Sequence, residues 1–163
     1  MTDSEEAEIA EQEDTLKGRF ITFQIGQETY GIEIRYVIEI VGIQQSTELP
    51  ESPDYIKGII NLRGKIIPVM DVRIRFSKAQ KEYDDRTCII VANFSGMFVG
   101  LIVDSVAEVM TLEKENIIGM QNGVGINNRF VKNVGKIAGN VILLLDCENL
   151  LTAEEIEALG KAI

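Results

Sequence analysis

The chain has no histidine and no tryptophan, only two cysteines and three prolines, and no apolar run near membrane-spanning length. Without histidine there is no His general base, no His metal ligand, and no Ser–His or Cys–His nucleophile pair. There is no phosphate-cradling Walker loop. Gly123-Val-Gly125 lacks the third glycine and the strand–helix setting of a dinucleotide fingerprint, and reads as a flexible loop. Asp84–Asp85 and Glu154–Glu155 are paired carboxylates in polar stretches, read as solvated surface rather than acid–base machinery. Apolar runs such as Phe98 to Val103 fall far short of the roughly 20 residues that span a bilayer. No basic segment followed by an apolar core opens the chain, so a soluble cytoplasmic protein is expected. Cys88 and Cys147 both lie in apolar strand-like runs and read as buried thiols; a disulfide or redox pair has no support.

Charge is present but uneven. The net charge is −10, and residues 1–16 hold seven acids (Asp3, Glu5, Glu6, Glu8, Glu11, Glu13, Asp14) and no base. The rest is close to balanced, with 16 bases against 19 acids. Nucleic acid, which needs a basic patch, is excluded as an expected partner. The acidic tail over 1–16 is too polar to pack and is expected to be disordered. With 163 residues and 45% hydrophobic content, the remainder can bury a core as one large domain or two small ones.

From Arg19 onward, short Ile-, Val-, Phe- and Tyr-rich segments alternate with Gly, Asn and Asp, which predicts a mainly β protein. Strands are expected over 20–25 and 29–32 about Gly26-Gln27-Glu28, and over 37–43. Two more, over 56–62 and 65–69, flank the Arg63-Gly64 turn, and 87–94 and 97–103 flank Ser95-Gly96. Residues 76–85 read as a polar connector, 112–118 as a helical turn and 141–145 as a buried strand. Thr152 with Glu155 forms a capping box that starts a C-terminal helix over 152–163, with Ile156, Leu159 and Ile163 on one face.

The body repeats itself. Gly31 to Val41 aligns with Gly100 to Met110, and Ile56 to Phe76 aligns with Val131 to Leu151 without a gap. We read a duplicated module of about five strands, with approximate repeats 19–76 and 87–151 inside a domain over 17–160. Each module is small, so a shared interface should stabilise both. Features in both repeats serve the fold: Gly64 matches Gly139, which suggests a turn needing positive φ. Asp71 matches Asp146, which suggests a cap at a strand end. Glu39 matches Glu108, so Glu39 alone proves little. Arg63 meets Ala138. The second repeat makes the same turn without arginine, which favours a contact residue over a fold role.

The segments FITFQIGQETYGIEIRYVIEI, YIKGIINLRGKIIPVMDVRIRF, VGLIVDSVAEVMTL and VILLLDCENLL resemble the CheW family of chemotaxis coupling proteins, across about residues 17–160. The resemblance implies two SH3-like five-stranded β-barrel subdomains, no catalytic activity and no cofactor. It implies an adaptor at receptor arrays on the inner face of the membrane, without membrane insertion. Its partners would be the regulatory domain of the histidine kinase CheA and the cytoplasmic tips of methyl-accepting chemotaxis receptors. Carried over by position, the receptor-facing residues are Val37, Glu39, Lys57, Arg63 and Val106. A receptor tip is a helical hairpin, so an apolar groove with charged margins is expected. Val37 and Val106 match each other and read either as groove residues facing across the seam or as core valines. Glu39 and Arg63 are expected to pair at the margin. Lys57 matches Lys132 and also fits a solvated position. For the kinase, only Gly58 stands out: its match is Asn133, and a bare backbone permits close approach. The alternative from another class is a small-molecule-binding barrel or enzyme, which would need a cluster of convergent polar groups.

Overall fold

The computed structural model describes residues 17–119 and 129–163. The acidic tail and the Gly123–Gly125 loop, each the subject of an expectation above, lie outside the described residues. Strands β1 (Arg19–Ile25) and β2 (Glu28–Glu33) form a hairpin, and a 3₁₀ turn at Ile34–Tyr36 leads into β3 (Val37–Gly42). Hairpin β4 (Ile56–Leu62) and β5 (Lys65–Asp71) runs into a one-turn helix, α1 (Val72–Arg75). Then come β6 (Cys88–Phe94), β7 (Met97–Val103), β8 (Ser105–Thr111), β9 (Ile117–Gly119), β10 (Val131–Ile137) and β11 (Asn140–Leu145). The chain closes with α2 (Cys147–Leu150) and α3 (Ala153–Ala162). The fold is mainly β, as expected. β9, α1 and α2 are additions, and the helical turn expected over 112–118 is a 3₁₀ turn at Lys114–Asn116.

Three hairpins turn on two residues at positive φ: Arg63-Gly64 (51° and 85°), Ser95-Gly96 (53° and 94°) and Ala138-Gly139 (50° and 82°). This geometry matches the right-handed twist of the strands. The side chains of Asn61 and Asn93 accept hydrogen bonds from the amides of Gly64 (2.9 Å) and Gly96 (2.8 Å), fixing the register of their turns. Asp71 and Asp146 are the N-caps of α1 and α2. The Asp71 carboxylate accepts from the Ile74 amide and from the Tyr83 hydroxyl at 2.6 Å, which pins the 76–85 connector to the body.

The strands form two sheets, in the orders β8-β1-β2-β11-β10-β9 and β3-β6-β7-β5-β4. This differs from one barrel per repeat. Each sheet takes its first hairpin from one repeat and its other main strands from the other. Numbered within the repeat, both sheets read third, first, second, fifth, fourth, with β9 extra in the larger. Sequence similarity identifies matching strands but not which repeat's hairpin they pair with, because both hairpins carry the same pattern. The registers agree closely: β5 and β7 run parallel with Val69 opposite Gly100, and β11 and β2 run parallel with Leu144 opposite Gly31. A Cβ on Gly100 would lie 2.7 Å from Ile89 and 2.9 Å from Val69, and one on Gly31 would lie 3.0 Å from Leu144. Glycine is what lets these parallel neighbours close up.

Each sheet has a small private core: Ile60, Ile67, Val69, Ile89, Val91 and Ile102 in the five-stranded sheet, and Phe20, Leu112, Ile142 and Leu144 in the other. The main core joins the sheets and includes Phe23, Tyr30, Met70, Phe94, Leu101 and Leu145. Full burial of each such side chain contributes about 1.5–3 kcal/mol, so most of the hydrophobic stabilisation lies between the sheets. Phe23, Tyr30, Phe76 and Phe130 form a row of rings along it with centroids 5.1–5.8 Å apart, stacked except for the tilted Tyr30–Phe76 pair.

Arg75 sits where the two repeats meet. Its guanidinium lies 4.2 Å from the Tyr55 ring and 5.1 Å from that of Phe130, two residues that match in the alignment. Its Nε donates to the carbonyl of Leu150, the residue that matches Arg75 itself, at 3.0 Å. Glu155 completes this buried charge, accepting from Arg75 and from the Tyr55 hydroxyl at 2.6 Å each. It also caps α3 with Thr152, as the capping box predicts. Burial pushes the Glu155 carboxyl up, but the bonds from Tyr55, the Thr152 amide and Arg75 outweigh it and hold the group at about 2. Glu155 is therefore an anchor of α3 and not the solvated surface expected for the Glu154–Glu155 pair. On the same helix Leu159 is buried and Ile156 packs on the core, but Ile163 is 48% exposed, because the helix ends at Ala162. Both thiols are free; Cys147 is buried, which pushes it up to about 12, whereas Cys88 is only half-buried at a strand end.

Candidate functional site

Edge strand β3 and the β4–β5 turn belong to one sheet but to its opposite edges. Two contacts bring them together. Thr47, beyond β3, forms a two-bond bridge with Ile59 of β4, with N to O distances of 2.9 and 2.8 Å. Arg63 then reaches from the turn and grips the Glu39 carboxylate with both terminal nitrogens, one at 3.2 Å. The expected Glu39–Arg63 pair is present in the structure.

The backbone at Arg63 makes this arrangement notable. A non-glycine residue in the left-handed region costs roughly 1–2 kcal/mol, and asparagine or glycine is the usual choice at such a turn. The Arg63 side chain is 65% exposed, so its ion pair returns only about 0–1 kcal/mol. Ala138 adopts the same φ with no side chain to pair. Arginine is thus not required for the turn or rewarded by the fold.

Val37 and Val106 are half-buried and both pack against the core shared by the sheets. They occupy matched registers, Val37 opposite Ala92 and Val106 opposite Phe23, each next to a bulge. These valines therefore line the joint between the sheets while keeping some surface open. Lys57 is half-buried on β4, and among the described residues it makes no ion pair. Its match Lys132 instead bonds Glu33 at 2.5 Å. Burial pushes Glu33 up, but Lys132 and Arg35 outweigh it and hold the carboxyl below its ordinary value.

Gly58 is different. It is buried, with φ of 147°, and a Cβ there would lie 2.2 Å from the Thr47 carbonyl oxygen. The close approach that glycine permits is made by this chain's own Thr47, so the sequence reasoning that assigned Gly58 to a kinase contact loses its support. Sequence reasoning also missed Glu108 as a separate feature. It lines an open cleft with Gly139, a signal contained in the pairing of Arg63 with Ala138 while Glu39 and Glu108 stay acidic.

Among the described residues, no group of three or more Cys, Asp or Glu side chains is placed to hold a metal. No helix among them is long and apolar enough to cross a membrane. Two linked sheets whose distinctive side chains sit at exposed turns and edge strands define an interaction scaffold. Residues 19–155 match the CheW-like domain, and the chain belongs to that family of chemotaxis scaffold proteins; it is not an enzyme.

Its relatives include the chemotaxis protein CheW of Klebsiella aerogenes, 38% identical over 144 residues, 88% of this chain and 87% of that protein. The CheW of Treponema pallidum is 31% identical over 148 residues, covering 88% and 87%. The scaffolding protein TtCheW of Thermoanaerobacter tengcongensis has a solved structure that superposes with a TM-score of 0.77 at 33% identity, covering 85% of this chain and 94% of that one.

Proposed function

We propose that the protein couples the cytoplasmic tips of chemoreceptors to the histidine kinase CheA in signalling arrays at the inner face of the membrane. Val37, Glu39, Lys57, Arg63 and Val106 form the receptor-facing surface in this reading. The observation that carries it is Arg63: an exposed guanidinium kept in an unfavourable backbone conformation that the sister turn fills with alanine. Charged margins with half-buried valines between them suit an amphipathic helical hairpin, whose apolar face meets the valines while its polar flank meets Glu39, Arg63 and Lys57. Charge at such a rim sets partner choice and orientation more than affinity.

The test is co-sedimentation with receptor-containing membranes, with and without CheA. The wild-type chain is expected to sediment with receptors and to bring CheA with it. Arg63→Ala is expected to weaken that assembly about tenfold, the ordinary effect of losing an arginine anchor. Absence of the wild-type chain from both partners' pellets overturns the coupling role. Unchanged assembly by Arg63→Ala removes Arg63 from the surface.

A further inference from the structure

The larger sheet has an open cleft of about 520 Å³ at the end where the smaller sheet carries its Glu39–Arg63 pair. Thr22, Gln24, Glu108, Met110, Gly139 and Val141 are among its walls. Each has a counterpart in the smaller sheet: Glu108 and Gly139 keep theirs, Val141 stands for the longer Ile66, and two apolar positions turn polar. Val91 becomes Thr22 and Phe98 becomes Thr29. Phe98 packs against the smaller sheet's private core with the Lys65 ammonium 3.9 Å from its ring centre.

The acid is kept where the base is lost. Glu108 matches Glu39, but the turn beside it is Ala138-Gly139 and offers no arginine. Glu39 is half-buried beneath Arg63, whereas Glu108 is exposed, and among the described residues its carboxylate makes no ion pair. Its backbone is nonetheless held firmly. The Thr22 hydroxyl donates to the Glu108 carbonyl at 3.0 Å and accepts from the Glu108 amide at 3.2 Å. This doubly bonded bulge fixes the direction in which residue 108 projects, a common use of bulges.

We propose that this cleft is a docking socket for an arginine side chain presented by a partner protein. The partner supplies in trans the guanidinium that Arg63 supplies within the chain. The smaller sheet is the template: it shows that this end of the barrel, with a glutamate at this position, accepts a two-pronged guanidinium. A planar fork matches a carboxylate on both nitrogens, which an ammonium cannot do. The socket is separate from the Glu39–Arg63 surface.

Two measurements test it. In the first, the full chain is titrated with N-acetyl-argininamide while its amide resonances are followed by NMR. Saturable shifts are expected at Thr22, Glu108 and Gly139. They should weaken about tenfold or more in Glu108→Gln, which removes the charged hydrogen bonds but keeps the shape. They should weaken equally in Ala138→Arg, where the backbone already has the φ of Arg63 and the new side chain fills the socket. Equal binding by wild type and Glu108→Gln, an equal response to N-acetyl-lysinamide, or no saturable shift would each overturn the socket. In the second, Ala138→Arg is compared with wild type in the sedimentation assay. Lower recovery of a partner is expected, and unchanged recovery of both overturns a role in docking. If the wild-type chain binds neither receptor nor kinase, the coupling reading fails while the titration still decides the socket.

Discussion

Arg63-Gly64 and Ala138-Gly139 share a backbone, and the strands leading to them share their register and their bulges. Their surroundings differ. In the five-stranded sheet the turn is tied to the opposite edge, and the β4 edge is closed by the Thr47 bridge. In the six-stranded sheet the matching turn carries no arginine, and Glu108 lines an open cleft with no ion pair among the described residues. The shared features are those a twisted sheet needs. The unshared ones, above all the Arg63 side chain, are present at one end and missing from the other.

That contrast is most severely tested at Gly58. Gly58→Ala forces a Cβ against Thr47 and is expected to cost more than about 3 kcal/mol, while Asn133→Ala at the matched position should cost under about 1 kcal/mol. Urea unfolding of both variants checks this, and equal costs would show that the bridge is not what closes the smaller sheet. Next come the tight glycines. Gly100→Ala, with two contacts under 3.0 Å, should destabilise by about 2–3 kcal/mol, and Gly31→Ala by about 1 kcal/mol. The same order in melting temperature is expected.

The third contrast concerns α3, whose polar anchor uses the first repeat only: Tyr55 and Arg75 match Phe130 and Leu150. The Glu155 carboxyl lies near 2 in the folded protein, below its ordinary 4.5. A lowered folded value gives stability that is present above the ordinary value and lost as pH falls toward the folded one. Glu155→Gln should therefore remove on the order of 2 kcal/mol at pH 7 and almost nothing near pH 2. Unfolding of wild type and variant across pH 2–7 reads the difference. Smallest is Arg63→Ala, expected to change stability by under about 1 kcal/mol. A loss above about 2 kcal/mol in calorimetry would make Arg63 structural.

Much of this was legible from residue pattern. Strands β4 and β7 fall where alternation and turn glycines put them, since both signals are local. The Glu39–Arg63 pair was also legible, because the repeat separates what the turn needs from what it merely carries. The exchange of hairpins was not. Both hairpins present the same apolar alternation, and the choice between them is made by parallel pairing across long stretches of chain. The close approach at Gly58 was legible but not what makes it, since Thr47 is eleven residues away in a loop with no periodic signal. Glu155 looked solvated because its partners, Tyr55 and Arg75, lie far off in sequence.

The exchanged hairpins also order the protein's birth. Strands β3 to β7 are continuous in the chain, so the smaller sheet has all its strands once Val103 has been made. The larger sheet opens with β1 at Arg19 and is not complete until β11 at Leu145. At about 5–20 residues per second, the first hairpin must wait several seconds on the ribosome for its parallel partner. During that interval Phe23 and Tyr30 can rest only on the smaller sheet and, once it is made, on β8. The last strand to emerge therefore closes the first hairpin, and a nascent chain truncated before it leaves β2 without its parallel neighbour.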